Sequence, residues 1–343
     1  MTRWNVFVFV LILLAALCGT LALTATAQNI NLNGAGATFP YPIYSKWFSE
    51  YHKLHPEVQI NYQSIGSGGG IRQVTAGTVD FGASDGPMSD EQLRDAPFQL
   101  SHIPTVLGSV VPAYNIAGVS EEIKFTPQVL AGIFLRNITN WNDKQIAAAN
   151  PGLKLPDKPI VVVHRSDGSG TSYIFTDFLS KVSPEWKSKV GKGTSVQWPV
   201  GVGAKGNEGV AGMVRQMDGA LGYVELIYAL QNKISYGPVK NAAGNFVKAS
   251  LESTTAAAAS AKTMPDDFRV SITNAPGKDA YPIASFTWLL IPAKSKDPAK
   301  GKVLHDFLVW MLDQGEPMAT QLNYAPLPPN VAEKVKAKIN QIH

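Results

Sequence analysis

The chain has 343 residues, of which 45% are hydrophobic, and it carries 30 lysines and arginines against 26 aspartates and glutamates. The formal charge of +4, with acids and bases interspersed, excludes the concentrated basic surface of a nucleic-acid-binding protein, so we expect no nucleic-acid partner. The length is sufficient for two domains with hydrophobic cores of their own.

Residues 1–27 are typical of a cleavable signal peptide. Arg3 gives a positive start, an apolar run follows, and Ala-Thr-Ala at residues 25–27 supplies a small-x-small cleavage pattern. Thr20 and Thr24 interrupt the run before it reaches the roughly 20 apolar residues of a membrane-spanning helix. The single cysteine, Cys18, lies inside this segment, so we predict a periplasmic protein that is released without disulfide bonds.

At the start of the mature chain, a predicted strand opens through small residues into a predicted helix. The strand covers residues 29–33, and the small residues 34–37 permit a tight turn. Thr38 is placed to cap the helix, and Pro42 suits its first turn. The apolar residues of this helix share one face and are predicted to be buried: Ile43, Tyr44, Trp47, Phe48 and Tyr51.

The same arrangement occurs twice more in the next part of the chain. A strand over residues 58–62 leads into the glycine-rich turn 66–70, which contains Ser67 and precedes a helix. A third strand, over residues 79–85, is followed by a helix that Ser89 is predicted to cap. Repeated alternation of strand and helix favours an α/β fold.

Later segments continue this alternation. Residues 104–115 form a long extended run, a helix begins after Thr126, strands are predicted over 220–225 and 283–291, and Asp297 caps a long helix. The pattern predicts mostly parallel sheets. In such folds ligands bind beyond the carboxyl ends of the strands.

The strongest signal for a binding site is the turn at residues 165–171 (RSDGSGT). It follows a β-branched strand over 160–163 and precedes a helix, whose first backbone N–H groups point outward and stabilise an anion. Its glycines let the backbone approach a ligand. The hydroxyls of Ser169 and Thr171 and the planar guanidinium of Arg165 add further donors.

This turn also has a simpler interpretation. Ser169-Gly170-Thr171 before a helix is an ordinary N-cap, and Arg165 with Asp167 forms a surface ion pair in many proteins. The turn is not the phosphate loop of nucleoside triphosphatases, because no lysine follows its last glycine. From this turn alone, anion binding and simple capping are both open.

Four segments, in their order and spacing, resemble the phosphate-binding periplasmic proteins of high-affinity ABC phosphate importers. These are residues 34–40 (GAGATFP), 66–67 (GS), 79–85 (VDFGASD) and 165–171 (RSDGSGT). The resemblance implies a two-domain periplasmic-binding-protein fold of the α/β class, with two crossover hinge strands, that closes over one buried phosphate. It also implies a membrane permease as partner, a monomeric chain, no cofactor, no metal and no catalysis.

The predicted domain division follows from the same resemblance. Domain I comprises residues 28–114 and 287–343, and domain II comprises residues 115–286. Extended segments at 113–115 and 285–288 are the candidates for the hinge strands.

By motif match, the resemblance implies a set of phosphate ligands from both domains: Thr38, Phe39, Ser67, Asp85, Arg165, Ser169, Gly170 and Thr171. All of these except Asp85 would donate hydrogen bonds. Asp167, two residues from Arg165, would hold the guanidinium in one rotamer and so lower the entropy cost of binding.

Asp85 needs a physical explanation, because a carboxylate repels an anion. Two like charges in a partly desolvated site cost several kcal/mol unless a proton lies between them. Hydrogen phosphate carries such a proton, and sulfate at neutral pH does not, so Asp85 would accept a hydrogen bond from phosphate and reject sulfate. Arsenate carries the same proton and would bind as well. Taken alone, Asp85 is also compatible with a turn at a strand end.

Other functions remain as alternatives. Residues 82–86 (GASDG) match the nucleophile-elbow pattern of serine hydrolases, with His305 as the possible base, although Pro87 interrupts the expected strand-to-helix turn. His52 and His55 lack a nearby set of acids or thiols, so we interpret them as solvated side chains and not as zinc ligands. The same fold with another oxyanion, or a phosphate-binding sensor or adhesin, is a further alternative.

Overall fold

A computed structural model describes residues 29–260 and 263–342 of the chain; the predicted signal peptide, with Cys18, lies outside these ranges. The strands are β1 (Ile30–Gly36), β2 (Val58–Ser64), β3 (Phe81–Ser84), β4 (Leu100–Asn115), β5 (Val161–Arg165), β6 (Val202–Ala204), β7 (Ala220–Glu225), β8 (Ser235–Tyr236), β9 (Val239–Lys240), β10 (Phe246–Val247) and β11 (Ala284–Pro292).

The helices are α1 (Tyr41–Leu54), α2 (Ser67–Ala76), α3 (Asp90–Asp95), α4 (Pro127–Phe134), α5 (Lys144–Ala149), α6 (Gly170–Val182), α7 (Pro184–Lys189), α8 (Gly206–Gln216), α9 (Leu226–Gln231), α10 (Leu251–Ala259), α11 (Pro298–Trp310), α12 (Glu316–Gln321) and α13 (Pro329–Ile339). A π-helical turn, Met311–Gly315, joins α11 to α12. None of the helices within the described ranges is long and apolar enough to cross a membrane.

One nine-stranded sheet organises the molecule, in the order β2-β1-β3-β11-β4-β7-β5-β6, with β8 also paired to β4. At one end β1 is parallel to β2 and β3, and at the other β5 is parallel to β6 and β7. In the middle, β4 is antiparallel to both β11 and β7. Since both parallel groups carry helices after their strands, each has a carboxyl edge where turns meet.

Strand β4 connects two halves of this sheet. Its residues Leu100 to Ser109 pair with β11, and its residues Val110 to Asn115 pair with β7. We call the part with β1, β2, β3 and β11 the first half, and the part with β5, β6, β7 and β8 the second half. The strand changes partner between Ser109 and Val110, a few residues before the predicted hinge segment 113–115. The division into residues 28–114 with 287–343 and residues 115–286 remains a prediction.

The hydrophobic core confirms the helical face that the sequence predicts. The five apolar residues of α1, from Ile43 to Tyr51, are buried. Three helix starts follow the prediction, because the side chains of Ser89, Thr126 and Asp297 accept hydrogen bonds from the first turns of α3, α4 and α11. The prediction that Thr38 caps α1 is wrong: the N-cap residue is Pro40, and it makes no side-chain capping bond. Local sequence patterns thus predict where these helices start, and with them the turns at the carboxyl ends of the strands.

Candidate functional site

In the first half, three turns converge at the carboxyl edge of the sheet. Thr38 and Phe39 lie between β1 and α1, Ser67 begins α2, and Asp85 directly follows β3. All four residues are buried. The backbone carbonyl of Phe39 accepts a hydrogen bond of 2.6 Å from the Tyr324 hydroxyl, which fixes this turn to the C-terminal part of the chain.

In the second half, the turn after β5 ends at the N-terminus of α6. Ser169 caps the helix by accepting a hydrogen bond of 3.0 Å from the Ser172 N–H group, so the capping interpretation is correct for its oxygen. The backbone N–H groups of Gly170 and Thr171 donate to no residue that the structure describes. Two free N–H groups at the positive end of a helix stabilise an anion, so capping and anion binding coexist at this turn.

Arg165, which is buried, and Asp167, which is partly buried, form an ion pair with two parallel hydrogen bonds. Nε donates to Oδ1 at 2.8 Å and Nη2 donates to Oδ2 at 2.5 Å, and the two side chains are only 1% and 12% exposed. Burial alone would raise the pKa of Asp167, but the hydrogen bonds and charge of Arg165 outweigh it and lower the pKa. The pair is therefore ionised and the guanidinium is held in one orientation.

Asp85 is the buried acceptor of the site. Its Oδ1 accepts a hydrogen bond of 2.7 Å from the Thr287 hydroxyl, and its Oδ2 lies 3.4 Å from the Ser67 hydroxyl. Burial raises the pKa of Asp85 to about 7, against the opposing effects of Thr287, the positive charge of Arg165 and Ser67. This carboxyl group therefore changes charge near neutral pH.

The two halves touch each other around these residues. The Gly68 N–H group donates to the Gly168 carbonyl at 2.9 Å. A Cβ atom built on Gly170 would lie 2.4 Å from Ser67 Oγ and 2.5 Å from Asp85 Oδ2, so the first turn of α6 sits directly on the first half. The structure brings the residues named from the sequence to one place between the halves.

Comparisons with known proteins show the family to which this chain belongs. A family model described as a PBP superfamily domain matches residues 22–314. The phosphate-binding protein PstS of Xylella fastidiosa (strain Temecula1) is 50% identical over 312 residues, which cover 90% of this chain and 85% of that protein. The chain belongs to the PstS family of phosphate-binding proteins. The PstS of Pasteurella multocida (strain Pm70) is 48% identical over 328 residues, covering 95% of this chain and 94% of that protein.

A solved structure shows that the PstS-family chain has the predicted fold class. A high affinity periplasmic phosphate-binding protein (PfluDING), bound with phosphate, matches it with a TM-score of 0.72, covering 90% of this chain and 93% of that chain at 23% identity. The predicted two-domain periplasmic-binding-protein fold and the family resemblance are confirmed.

Sequence reasoning missed two polar residues that contact the predicted site of this PstS-family chain. Asn207, near the start of α8, donates to the hydroxyls of Thr38 and Thr171. Thr287, in β11, donates to Asp85. A signal existed for each: Asn207 lies where a glycine-rich segment leads into a helix, and Thr287 is a polar residue inside an apolar strand.

Glu225 is a third missed residue, at the end of β7. It is completely buried, its Oε2 accepts a hydrogen bond of 2.8 Å from the Ile227 N–H group, and its Oε1 has no partner among the described residues. Burial, and to a smaller extent the charge of Asp85, hold its pKa well above the usual range. A neutral carboxyl group here adds no charge that would repel an anion.

The residues behind the alternative functions have other roles. Ser84 is buried, and its hydroxyl donates to the Gly86 carbonyl at 2.5 Å within its own turn. His305 lies beside Asp306, its neighbour on α11. His52 contacts the Val58 carbonyl through Nδ1 at 2.7 Å. Across residues 29–260 and 263–342, no group of three or more His, Cys, Asp or Glu side chains is placed to hold a metal ion.

Proposed function

We propose that the chain is an extracytoplasmic solute-binding protein that captures inorganic phosphate between two domains and delivers it to an ABC transporter for import. The observation that carries this proposal is the convergence, from both halves of the sheet, of buried donors around one buried acceptor. PstS relatives named as phosphate-binding proteins, at 48–50% identity, support it.

In this proposal, phosphate contacts both halves at once. From the first half, Thr38, Phe39 and Ser67 donate and Asp85 accepts. From the second half, the donors are the guanidinium of Arg165 and the hydroxyl and N–H groups at the start of α6, from Ser169, Gly170 and Thr171. Because the full set of ligands exists only when the halves are together, phosphate stabilises the closed form, which the membrane permease would recognise.

Several finer parts of the proposal rest on the family and the sequence. The chain would be exported to the periplasm through the signal peptide at residues 1–27, act as a monomer, and perform no catalysis. Its domains would be residues 28–114 with 287–343, and residues 115–286. Arsenate would bind in place of phosphate because it carries the same proton.

A thermal shift screen with phosphate, arsenate, sulfate and molybdate tests the proposed ligand. We expect phosphate and arsenate to raise the melting temperature, because a ligand at 100 times its dissociation constant stabilises the folded state by about 2.7 kcal/mol. Sulfate and molybdate, compared at equal ionic strength at about pH 8, where Asp85 is charged, should leave it nearly unchanged. A shift with sulfate as large as that with phosphate would contradict the assignment of Asp85.

Gly170→Ala tests whether binding requires the halves to approach as closely as in this structure. The added Cβ would collide with Ser67 and Asp85 of the opposite half. We expect phosphate affinity, measured by calorimetry, to fall about 5- to 150-fold, because overpacking costs about 1 to 3 kcal/mol and acts here on the closed form.

Gly212→Ala, in α8 of the same half, is the matched control. A Cβ at Gly212 meets no atom within 4 Å, so this variant should bind phosphate like the wild type. Wild-type affinity in Gly170→Ala as well would show that the close contact at Gly170 does not matter for binding.

A further inference from the structure

Asn207 is a buried amide that joins both halves of the site. Its Nδ2 donates to Thr38 Oγ1 at 2.8 Å and to Thr171 Oγ1 at 3.1 Å. Its Oδ1 accepts a hydrogen bond of 3.0 Å from the Glu225 N–H group. A backbone N–H group can only donate, so the amide oxygen must face Glu225, and the NH₂ group must face the two threonines.

The two threonine hydroxyls consequently have their acceptor positions filled. A hydroxyl oxygen has two acceptor lone pairs and one hydrogen to donate. Thr171 Oγ1 accepts from Asn207 and, at 3.3 Å, from Arg165 Nη1. Thr38 Oγ1 accepts from the side chain of Asn207 and, at 3.3 Å, from its backbone N–H group. Each hydroxyl is left with only its hydrogen, which it can donate.

We infer that Asn207 is a positioning residue that commits the hydroxyls of Thr38 and Thr171 to donating hydrogen bonds to phosphate. This inference rests on the proposed function. A free threonine hydroxyl rotates and can present either its hydrogen or a lone pair to a ligand. Because Asn207 fills acceptor positions of both hydroxyls, one in each half, both threonines donate hydrogen bonds to phosphate oxygens. Asp85 is then the acceptor of the site.

The pairing of the strands explains why Asn207 reaches both threonines. Strand β6 is parallel to β5, with Ala204 opposite Arg165, so the start of α8 lies beside the turn 165–171. From there the side chain crosses to Thr38, which belongs to the first half. Asn207 therefore acts on the donor geometry and also links the halves.

Two substitutions test this role by calorimetric titration with inorganic phosphate. Asn207→Ala removes the donors, and phosphate affinity should fall about 5- to 150-fold, the range for losing interactions worth about 1 to 3 kcal/mol. Asn207→Asp keeps the size of the side chain but replaces the NH₂ group by an acceptor. The threonine hydroxyls would then donate to the introduced carboxylate instead of phosphate, so the loss should exceed that of the alanine variant.

A double-mutant cycle separates positioning from a merely structural role. In a background with Thr38→Val and Thr171→Val, the hydroxyls that Asn207 orients are absent. Adding Asn207→Ala should then lower phosphate affinity by less than about threefold. This is roughly the error within which the effects of independent sites add. If Asn207→Ala lowers phosphate affinity by the same factor in this background as in the wild type, the inference is overturned.

Asn150→Ala is the matched control. Asn150 is also buried, and its amide donates to the Lys124 and Ile146 carbonyls at 3.0 and 2.9 Å. This variant should lower the melting temperature without changing phosphate affinity. Unchanged affinity in both Asn207→Ala and Asn207→Asp, with normal wild-type binding, would overturn this inference alone. A wild-type protein that does not bind phosphate would overturn the proposed function and, with it, this inference.

Discussion

Arg165→Ala is expected to weaken phosphate binding by a factor of about 30 to several thousand, equivalent to the roughly 2 to 5 kcal/mol lost when one partner of a buried charge pair is removed. Two effects add in the same direction. The phosphate loses a planar, charged donor in a desolvated site. Asp167 loses its partner, so its partly buried carboxylate, which Arg165 neutralises in the wild type, would repel the incoming anion.

Calorimetry on three variants makes this test specific. Arg165→Lys keeps the charge but not the fork geometry that pairs with Asp167, so its affinity should lie between those of the wild type and the alanine variant. Arg269→Ala removes another ion-paired arginine, which contacts Asp90 and Asp267, and should leave phosphate affinity unchanged. Wild-type affinity in Arg165→Ala would contradict the whole site.

Local patterns predicted the donors of the turn 165–171, whereas Thr38, Phe39, Ser67 and Asp85 were assigned through the family resemblance. A strand, a run of small residues and a helix start can be recognised within about ten positions, and the physics of a helix N-terminus then predicts a donor. The turns that contain Thr38, Ser67 and Arg165 all have this form. Their convergence at one place follows from the family fold and is not visible in any single turn.

The contacts of Asn207 and Thr287 depend on strand pairing, which no local pattern predicts. Asn207 reaches its threonines because β6 pairs with β5. Thr287 reaches Asp85 because β11 runs antiparallel to β3, with Trp288 opposite Ser84. Alternation of strands and helices predicted mostly parallel sheets, and it could not show that β4 and β11 form an antiparallel centre that joins the halves.

Asp85→Asn is expected to relax the rejection of sulfate while phosphate binding is largely kept. Sulfate has no proton to place against a carboxylate, and two like charges about 4 Å apart in such a site repel strongly enough to account for a discrimination on the order of 100-fold or more. An asparagine NH₂ group donates to sulfate, so the variant should bind sulfate more tightly by roughly that factor. Competition between sulfate and phosphate in calorimetry measures both affinities.

The raised pKa of Asp85 also predicts how sulfate binding depends on pH. Because burial raises that pKa to about 7, the carboxyl group of the ligand-free protein is protonated below this pH and can donate a hydrogen bond. Sulfate binding by the wild type should therefore strengthen as the pH falls from about 8 to about 6, whereas in Asp85→Asn it should stay nearly constant.

If Asp85 is responsible, the stability of the ligand-free protein must also increase as the pH falls. A folded-state pKa above the unfolded value means that the stability contributed by Asp85 is complete below about pH 4 and is lost as the pH rises through about 7, by up to about 4 kcal/mol. Without phosphate, Asp85→Asn should therefore raise the melting temperature more at about pH 8 than at about pH 5. If sulfate rejection by the wild type is independent of pH and the variant rejects sulfate equally well, Asp85 does not select for a protonated anion, and the donor geometry alone must select phosphate.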